Sequence, residues 1–332
     1  MPAPRTVIRS VDRSARVERT VPGYCFAASV GSPPRQRAFF VTAVLLTPPP
    51  VAGRRRAWLV GAGLIPAAWP VWWFTGVLAS TPPPIIAIGG AAAVCWTILV
   101  RVLDPQRRKP LRVILATFLW GAVVAACIST QVNDALLAWA GSDARNPDLV
   151  PVVLGPLVEE GAKAAALIAV LLLARDELRS PLDGIVYGAL VGIGFAMTEN
   201  FSYLTLAALQ GGPAGLWRGV YLRAVLGGPV HATFTAMTGA GLVQALLHGR
   251  LGARLVAASA GVFAAVGEHV IWNGIASRTL TGVLCGPQYP AACLAEPETT
   301  ALVVQAPLVV ALFLGPGLLM LLAIGRLSSR RR

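Results

Sequence analysis

Charge is what this sequence has least of. Only 13 % of its 332 residues are Asp, Glu, Lys or Arg, about half of what a soluble domain of this size carries. Hydrophobic residues make up 55 %, the mean hydropathy is +0.66, and the apolar residues come in long runs rather than amphipathic stripes. An ordinary cytosolic fold is excluded. Cysteine is sparse, which excludes a disulfide-built scaffold. Cys95 and Cys127 sit in apolar runs and read as small core residues, and Cys25 lies in the N-terminal region. Cys285 and Cys293 flank a polar loop, CGPQYPAAC, where a disulfide fits an extracytoplasmic loop and two free thiols fit a cytoplasmic one. There is no HExxH, so this is no ordinary zincin. There is no apolar stretch placed as a signal peptide needs, and no internal repeat.

What is there is a set of eight apolar runs, at about 57–79, 84–103, 111–131, 149–174, 183–208, 222–247, 251–276 and 302–325. A backbone in lipid must satisfy its own hydrogen bonds, so these are helices. The fold class is therefore all-α, a polytopic transmembrane bundle of about eight spans. Residues 1–56 are rich in Arg, Pro and Ser and read as a disordered basic tail. Residues 57–326 form the membrane domain, and 327–332 a basic C-terminus.

The net charge of +13 raises the question of nucleic acid, and the placement of the charges answers it. Basic residues crowd the N-terminal region, the connection holding Arg101, Arg107, Arg108, Lys109 and Arg112, the link with Arg250 and Arg254, and Arg326 through Arg332. The loop near 132–148 holds Asp134, Asp143 and Asp148, and the loop of Cys285 holds Glu296 and Glu298. That alternation puts both termini in the cytoplasm, with the lipid bilayer rather than nucleic acid as the basic segments' partner. Arg218 and Arg223 fall on the outside as an exception.

Ionisable side chains in hydrocarbon cost roughly 2.5–3.5 kcal/mol each on insertion scales, yet four runs carry them. The fourth has Glu159, Glu160 and Lys163 in PLVEEGAK. The fifth has Glu199, Asn200 and Tyr203 in GFAMTENFSY. The sixth has His231, Thr235 and Thr238 in GGPVHATFTAMTG, and the seventh has Glu268, His269 and Asn273 in GEHVIWNG. Two of the three histidines and one of the two lysines are in this set. Glu159 and Lys163 are i,i+4 and share a helix face, with Glu160 about 100° round. The ammonium can hold one carboxylate ionised in lipid. The second then lies beside a like charge, an arrangement suited to a general acid or base. Glu199 with Tyr203, and His269 with Asn273, repeat the i,i+4 spacing. Glu159, Glu199, His231 and His269 all fall roughly 10–15 Å from the outer ends of their helices, at 1.5 Å per residue. Four helices of alternating direction would thus bring their polar residues into one layer, in the outer half of the membrane.

Structural readings compete at each position. Glu159, Glu160 and Lys163 could be a register-fixing ion pair, Glu199–Asn200 and His269–Asn273 interhelical hydrogen-bonding pairs, and His231 a satisfied core histidine. Glu268 points to another face than His269 and reads as structural. Asp183 reads as a helix-start residue, His248 as a solvated loop residue, and Thr235 and Thr238 as interface residues. Gly192 and Gly194 allow close helix approach. Pro156 and Pro229 are expected to free carbonyls and bend their helices near the sites.

Two carboxylates, two histidines and an Asn in a membrane cavity suit peptide hydrolysis, with one carboxylate taking a proton from water and His and Asn donors facing the oxyanion. The alternative wiring is a divalent metal, zinc first, held by His231, His269 and Glu159, with a second glutamate as base. The ordered set EExxK (Glu159, Glu160, Lys163), FxxxEN (Phe195, Glu199, Asn200), HxxxT (from His231) and HxxxN (His269, Asn273) resembles the PrsW family of intramembrane proteases, over about 149–276. It is more distantly similar to the CAAX-protease and bacteriocin-processing superfamily. Relatives there have EExxxR and a His in the second motif, where this chain has Lys163 and Glu199. The resemblance implies a bacterial plasma-membrane protease with Glu159, Glu160, Glu199, His231 and His269 as catalytic residues. Lys163, Asn200 and Asn273 would support them. The implied substrate is a single-span membrane protein, an anti-sigma factor in the best-known branch. Two other classes compete. A proton or cation transporter also uses such residues but predicts repeated halves, and a non-catalytic binding or immunity protein would keep only a relict site.

Overall fold

The computed structural model describes residues 68–104, 109–140 and 149–276, together with the single residue Ala311. The basic tail 1–56, the start of the first run, the run at 302–325 apart from Ala311, the pair Cys285 and Cys293, Cys25 and the C-terminal 327–332 lie outside the described residues.

The described residues contain helix and no strand. Helix α1 covers 68–80 and α2 Pro83–Leu103. Helix α3 runs Leu111–Ala140, with a π-helical segment at Trp120–Ala125. Helix α4 is Gly155–Leu173, entered through a π-helical turn at Leu149–Leu154. Helix α5 spans Pro181–Gly219. A third π-helical segment, Val220–Leu226, leads to α6, Gly228–Leu247. Helix α7 is Leu251–Ile271 and continues as the π turn Trp272–Ala276.

Among the described residues, four helical stretches are long and apolar enough to cross a membrane: Pro83–Leu103, Leu111–Ala140, Pro181–Leu247 and Leu251–Gly274. The third is a helical hairpin. Gly212 adopts φ 59°, a left-handed conformation that glycine takes without penalty. Pro213 follows it, and the chain turns back there. Helix α4 has comparable length, but its sequence holds Glu159, Glu160 and Lys163 in an otherwise apolar run. At 1.5 Å per residue α3 is about 45 Å long, well beyond the hydrocarbon thickness of about 30 Å. It therefore carries Asp134 on a helix, where the charge pattern alone suggested a loop.

Proline marks beginnings rather than bends. Pro83, Pro156, Pro181 and Pro229 all sit in the first turn of their helices, where no N–H is needed and φ is already suitable. Pro156 comes just after a π-helical turn whose Pro151 carbonyl accepts from Asn273, and Pro229 lies in the first turn of α6. π-helical segments precede both α4 and α6. Cys127 is buried as expected, but Cys95 is exposed: it lies on the outer face of α2, a helix that buries only Ile85, Gly89 and Ala93 among its residues.

Helix α5 is the centre of the bundle, packed against α2, α3 and α6, and α6 in turn is sandwiched between α5 and α7. The α5–α6 seam is built on Gly184, Gly188 and Gly192, spaced one turn apart. A Cβ on these would overlap the carbonyl oxygens of Gly239, Thr235 and His231 respectively. Small residues at this spacing let two membrane helices approach to backbone contact. Gly194 does the same against Phe118 of α3. The seam matters because it sets the height and depth of His231 and Thr235 on α6. At the start of α5, Ser180 and Asp183 form a reciprocal capping box, confirming Asp183 as a helix-start residue. Its other oxygen meets Lys109 Nζ at 3.1 Å, and Lys109 also meets Asp104 Oδ2 at 2.9 Å. A lysine that reads as part of a basic loop is in fact a buried clasp tying the α2–α3 connection to α5.

Candidate active site

Helix α4 supplies Glu159, Glu160 and Lys163, α5 supplies Glu199, α6 His231 and α7 His269, and the structure gathers all six. Lys163 Nζ lies 2.8 Å from Glu160 Oε1 and 3.1 Å from His231 Nδ1. It also sits 3.7 Å above the Phe195 ring and is fully buried. The same Glu160 oxygen meets His269 Nδ1 at 3.0 Å, while Glu160 Oε2 accepts from the Thr235 hydroxyl at 3.2 Å. Glu160 is thereby held on both oxygens, as a buried carboxylate must be.

Glu159 is held differently. Its Oε1 accepts from Asn133 Nδ2 at 3.4 Å. Its Oε2 is buried with no hydrogen-bond donor, being 3.6 Å from His269 Nε2 and 3.7 Å from Lys163 Nζ, beyond hydrogen-bonding range. Glu199 Oε2 meets His231 Nε2 at 2.8 Å and Arg223 Nη2 at 3.0 Å. The rings are packed closely: His231 and His269 are edge-on at 5.0 Å between centroids, and His269 stacks on Phe234 at 4.8 Å.

Two supporting residues fall elsewhere. Asn200 is buried and lines a small cavity with Trp96, Ile193, Met197 and Gly228, between α2 and the hairpin. Asn273 Nδ2 donates to the Pro151 carbonyl at 3.0 Å. It fastens the π turn ahead of α4 to the end of α7, and so braces the cluster without entering it. His248 pairs with Gln244 at the end of α6, away from the cluster. Three contacts were not foreseen. Thr235, read as an interface residue, bonds Glu160. Asn133 reaches Glu159 from α3. Arg223 pairs with Glu199 and lies 3.7 Å over the Tyr203 ring. The available signal for Arg223 was its place on the wrong side of the charge pattern.

The donor set fits a divalent cation. Glu159, His231 and His269 each offer one ligand atom, all within 4.8 Å of one another and all buried. One carboxylate and two imidazoles, with a coordination position left over, is the composition of catalytic rather than structural zinc sites. The donorless Glu159 Oε2 is an acceptor that a cation would satisfy. His269 Nδ1 is already turned on a carboxylate, the arrangement that orients an imidazole's other nitrogen toward a metal.

A family model described as PrsW family intramembrane metalloprotease matches residues 109–312. The chain belongs to the PrsW family. Its match begins at the clasp lysine and takes in every residue of the cluster. Among curated proteins, "Protease PrsW" of Clostridioides difficile (strain 630) is 31 % identical over 140 residues, 42 % of this chain and 57 % of that protein. "Protease PrsW" of Geobacillus kaustophilus (strain HTA426) is 30 % identical over 155 residues, 47 % of this chain and 64 % of that protein. The chain thus aligns with under two thirds of either PrsW relative. No solved structure matches it.

Proposed function

We propose that this chain is an intramembrane peptidase that hydrolyses a peptide bond in a single-span membrane protein, within the outer half of a bacterial plasma membrane. The observation that carries the reading is the convergence of Glu159, Glu160, His231 and His269, from three separate helices, into one buried polar cluster. Burying so many ionisable groups together is expensive, and helix packing alone does not require it. Glu159, His231 and His269 are the residues to hold a divalent cation, zinc first. Such a cation supplies Lewis-acid activation of water and of the scissile carbonyl.

The protein's own groups divide the rest. Glu160 Oε2 is the less occupied oxygen of its carboxylate and takes the proton from the attacking water as the C–O bond forms. The same oxygen returns that proton to the leaving nitrogen as the C–N bond breaks, giving a carboxylate and an amine. Lys163 keeps Glu160 ionised before the step and offers positive charge where the oxyanion develops. Glu199 fixes His231, and Phe195 and Phe234 keep bulk water from the imidazoles. An anti-sigma factor is the substrate class that the family resemblance suggests.

The test is co-expression with candidate single-span substrates. Glu159→Ala, Glu160→Ala, His231→Ala and His269→Ala would each be compared at matched expression, with and without chelator. The proposal expects all four to lose processing, and zinc to restore activity after chelation. Wild-type processing by all four variants would end it.

A further inference from the structure

The cluster is buried apart from one edge. Side-chain exposure is 9 % or less at Glu159, Glu160, Lys163, His231 and His269, rises to 18 % at Glu199 and reaches 30 % at Arg223. The string Arg223–Glu199–His231 is thus where the buried groups meet the surface of the bundle. Its two ion contacts, at 3.0 and 2.8 Å, share a single oxygen, Glu199 Oε2.

We propose that Arg223 is a positioning residue, which acts through Glu199 to keep His231 in its Nε2–H tautomer. This rests on the peptidase reading for its purpose, though not for its geometry. The donor and acceptor inventory decides the tautomer. An ammonium has hydrogens and no acceptor, so His231 Nδ1, 3.1 Å from Lys163 Nζ, must present its lone pair. The proton therefore sits on Nε2, which donates to Glu199 Oε2 at 2.8 Å. That tautomer turns the Nδ1 lone pair toward the cluster, where it accepts from Lys163.

Glu199 can enforce it only if its carboxylate stays put, and two contacts see to that. Arg223 Nη2 holds the same oxygen at 3.0 Å. The guanidinium itself lies 3.7 Å over the Tyr203 ring, one helical turn beyond Glu199 on the same face of α5, so ring and carboxylate grip it together. Arg223 also lies within the π-helical segment Val220–Leu226, a deviation from α-helix of the kind often found at functional sites. A plain register-fixing ion pair would neutralise Glu199 equally well with lysine and would leave the imidazole indifferent.

The experiment uses the full chain, labelled with ¹⁵N-histidine and purified in detergent micelles. With three histidines in the chain, His231 and His269 are assigned by single substitutions to Gln. Wild type is expected to show one Nε2–H signature at His231. Arg223→Gln should replace it with a mixture of tautomers, leave the His248 signal unmoved, and lower kcat about 10–100-fold at unchanged KM, as loss of an outer partner of a ligand does. The substrate for that kinetic arm is the single-span protein identified by co-expression. An unaltered His231 signature in Arg223→Gln overturns the proposal. If that variant does not fold, Tyr203→Leu keeps the guanidinium but removes its platform. Mixed tautomers are expected there too, and a wild-type signature overturns the proposal as well. The tautomer is read without substrate. A chain that shows the Arg223-dependent signature yet cleaves nothing sinks the peptidase reading and leaves this one standing.

Discussion

Replacing Gly192 by alanine probes the link between packing and chemistry in a single methyl group. Gly192 of α5 abuts the backbone of His231 and Ala232 on α6, and a Cβ there overlaps the His231 carbonyl. No flexible side chain can yield, since the obstructing atoms are main chain. The helices must separate locally by roughly 1 Å to restore ordinary contact in an interior packed like a crystal. Overpacking of this sort costs about 1–3 kcal/mol of stability. The functional effect should be larger, because a displacement of about 1 Å at a reacting group lowers rates about 100-fold. Gly90→Ala on α2 is the control. Nothing lies within 4 Å of the added carbon there, and filling an open helical position gains about 0.5–1 kcal/mol. Cleavage of a co-expressed single-span substrate, normalised to the amount of folded protein, would show G192A reduced about 100-fold and G90A at wild-type level. Equal cleavage by G192A and wild type would refute the claim that the glycine seam places His231.

Lys163→Met leaves Glu160 without its buried cation. Thermal unfolding in detergent should show a loss of about 3–5 kcal/mol, the usual result of stripping one partner from a buried pair. Thr235→Val removes a neutral donor to the same carboxylate and should cost about 1.5–3 kcal/mol by the same measurement, so the two variants rank the contributions to Glu160. Asp183→Ala deletes both the cap of α5 and a partner of Lys109; about 1–2 kcal/mol is expected from the cap alone. A double-mutant cycle with Lys109→Met should then return a coupling of about 0.5–3 kcal/mol. Simple additivity would show the clasp to be inert.

The helical class and the grouping of Glu159, Glu160, Lys163, Glu199, His231 and His269 were legible because hydrocarbon punishes misplaced charge. A side chain that stands out against an apolar run has few reasons to be there, and its helical spacing then names its neighbours. The partners that lipid does not punish were hidden. Thr235 and Asn133 are ordinary polar residues of membrane helices, and nothing in their spacing says that they reach Glu160 and Glu159 from other elements. Arg223 was visible as a breach of the charge pattern, but pairing across a hairpin has no signature in one dimension. Asn200 lines a separate cavity because adjacency in sequence to Glu199 is about 100° on a helix, and the next residue faces a different neighbour. The prolines are ambiguous in sequence for a related reason: a proline in the first helical turn and one that kinks a helix differ only in where the helix begins.

The reversal at Gly212 bears on how such a polar cluster can enter a membrane at all. Glu199 and Arg223 are 24 residues apart, on the two limbs of one helical hairpin. Alone, a charge at mid-bilayer costs roughly 2.5–3.5 kcal/mol on the translocon scale. Closing so short a loop is entropically cheap, so the two charges can meet as soon as both limbs have left the ribosome. The hairpin then partitions as one neutralised unit. It carries its own counter-ion into the lipid, and His269 comes to the cluster from α7, a later helix in the chain.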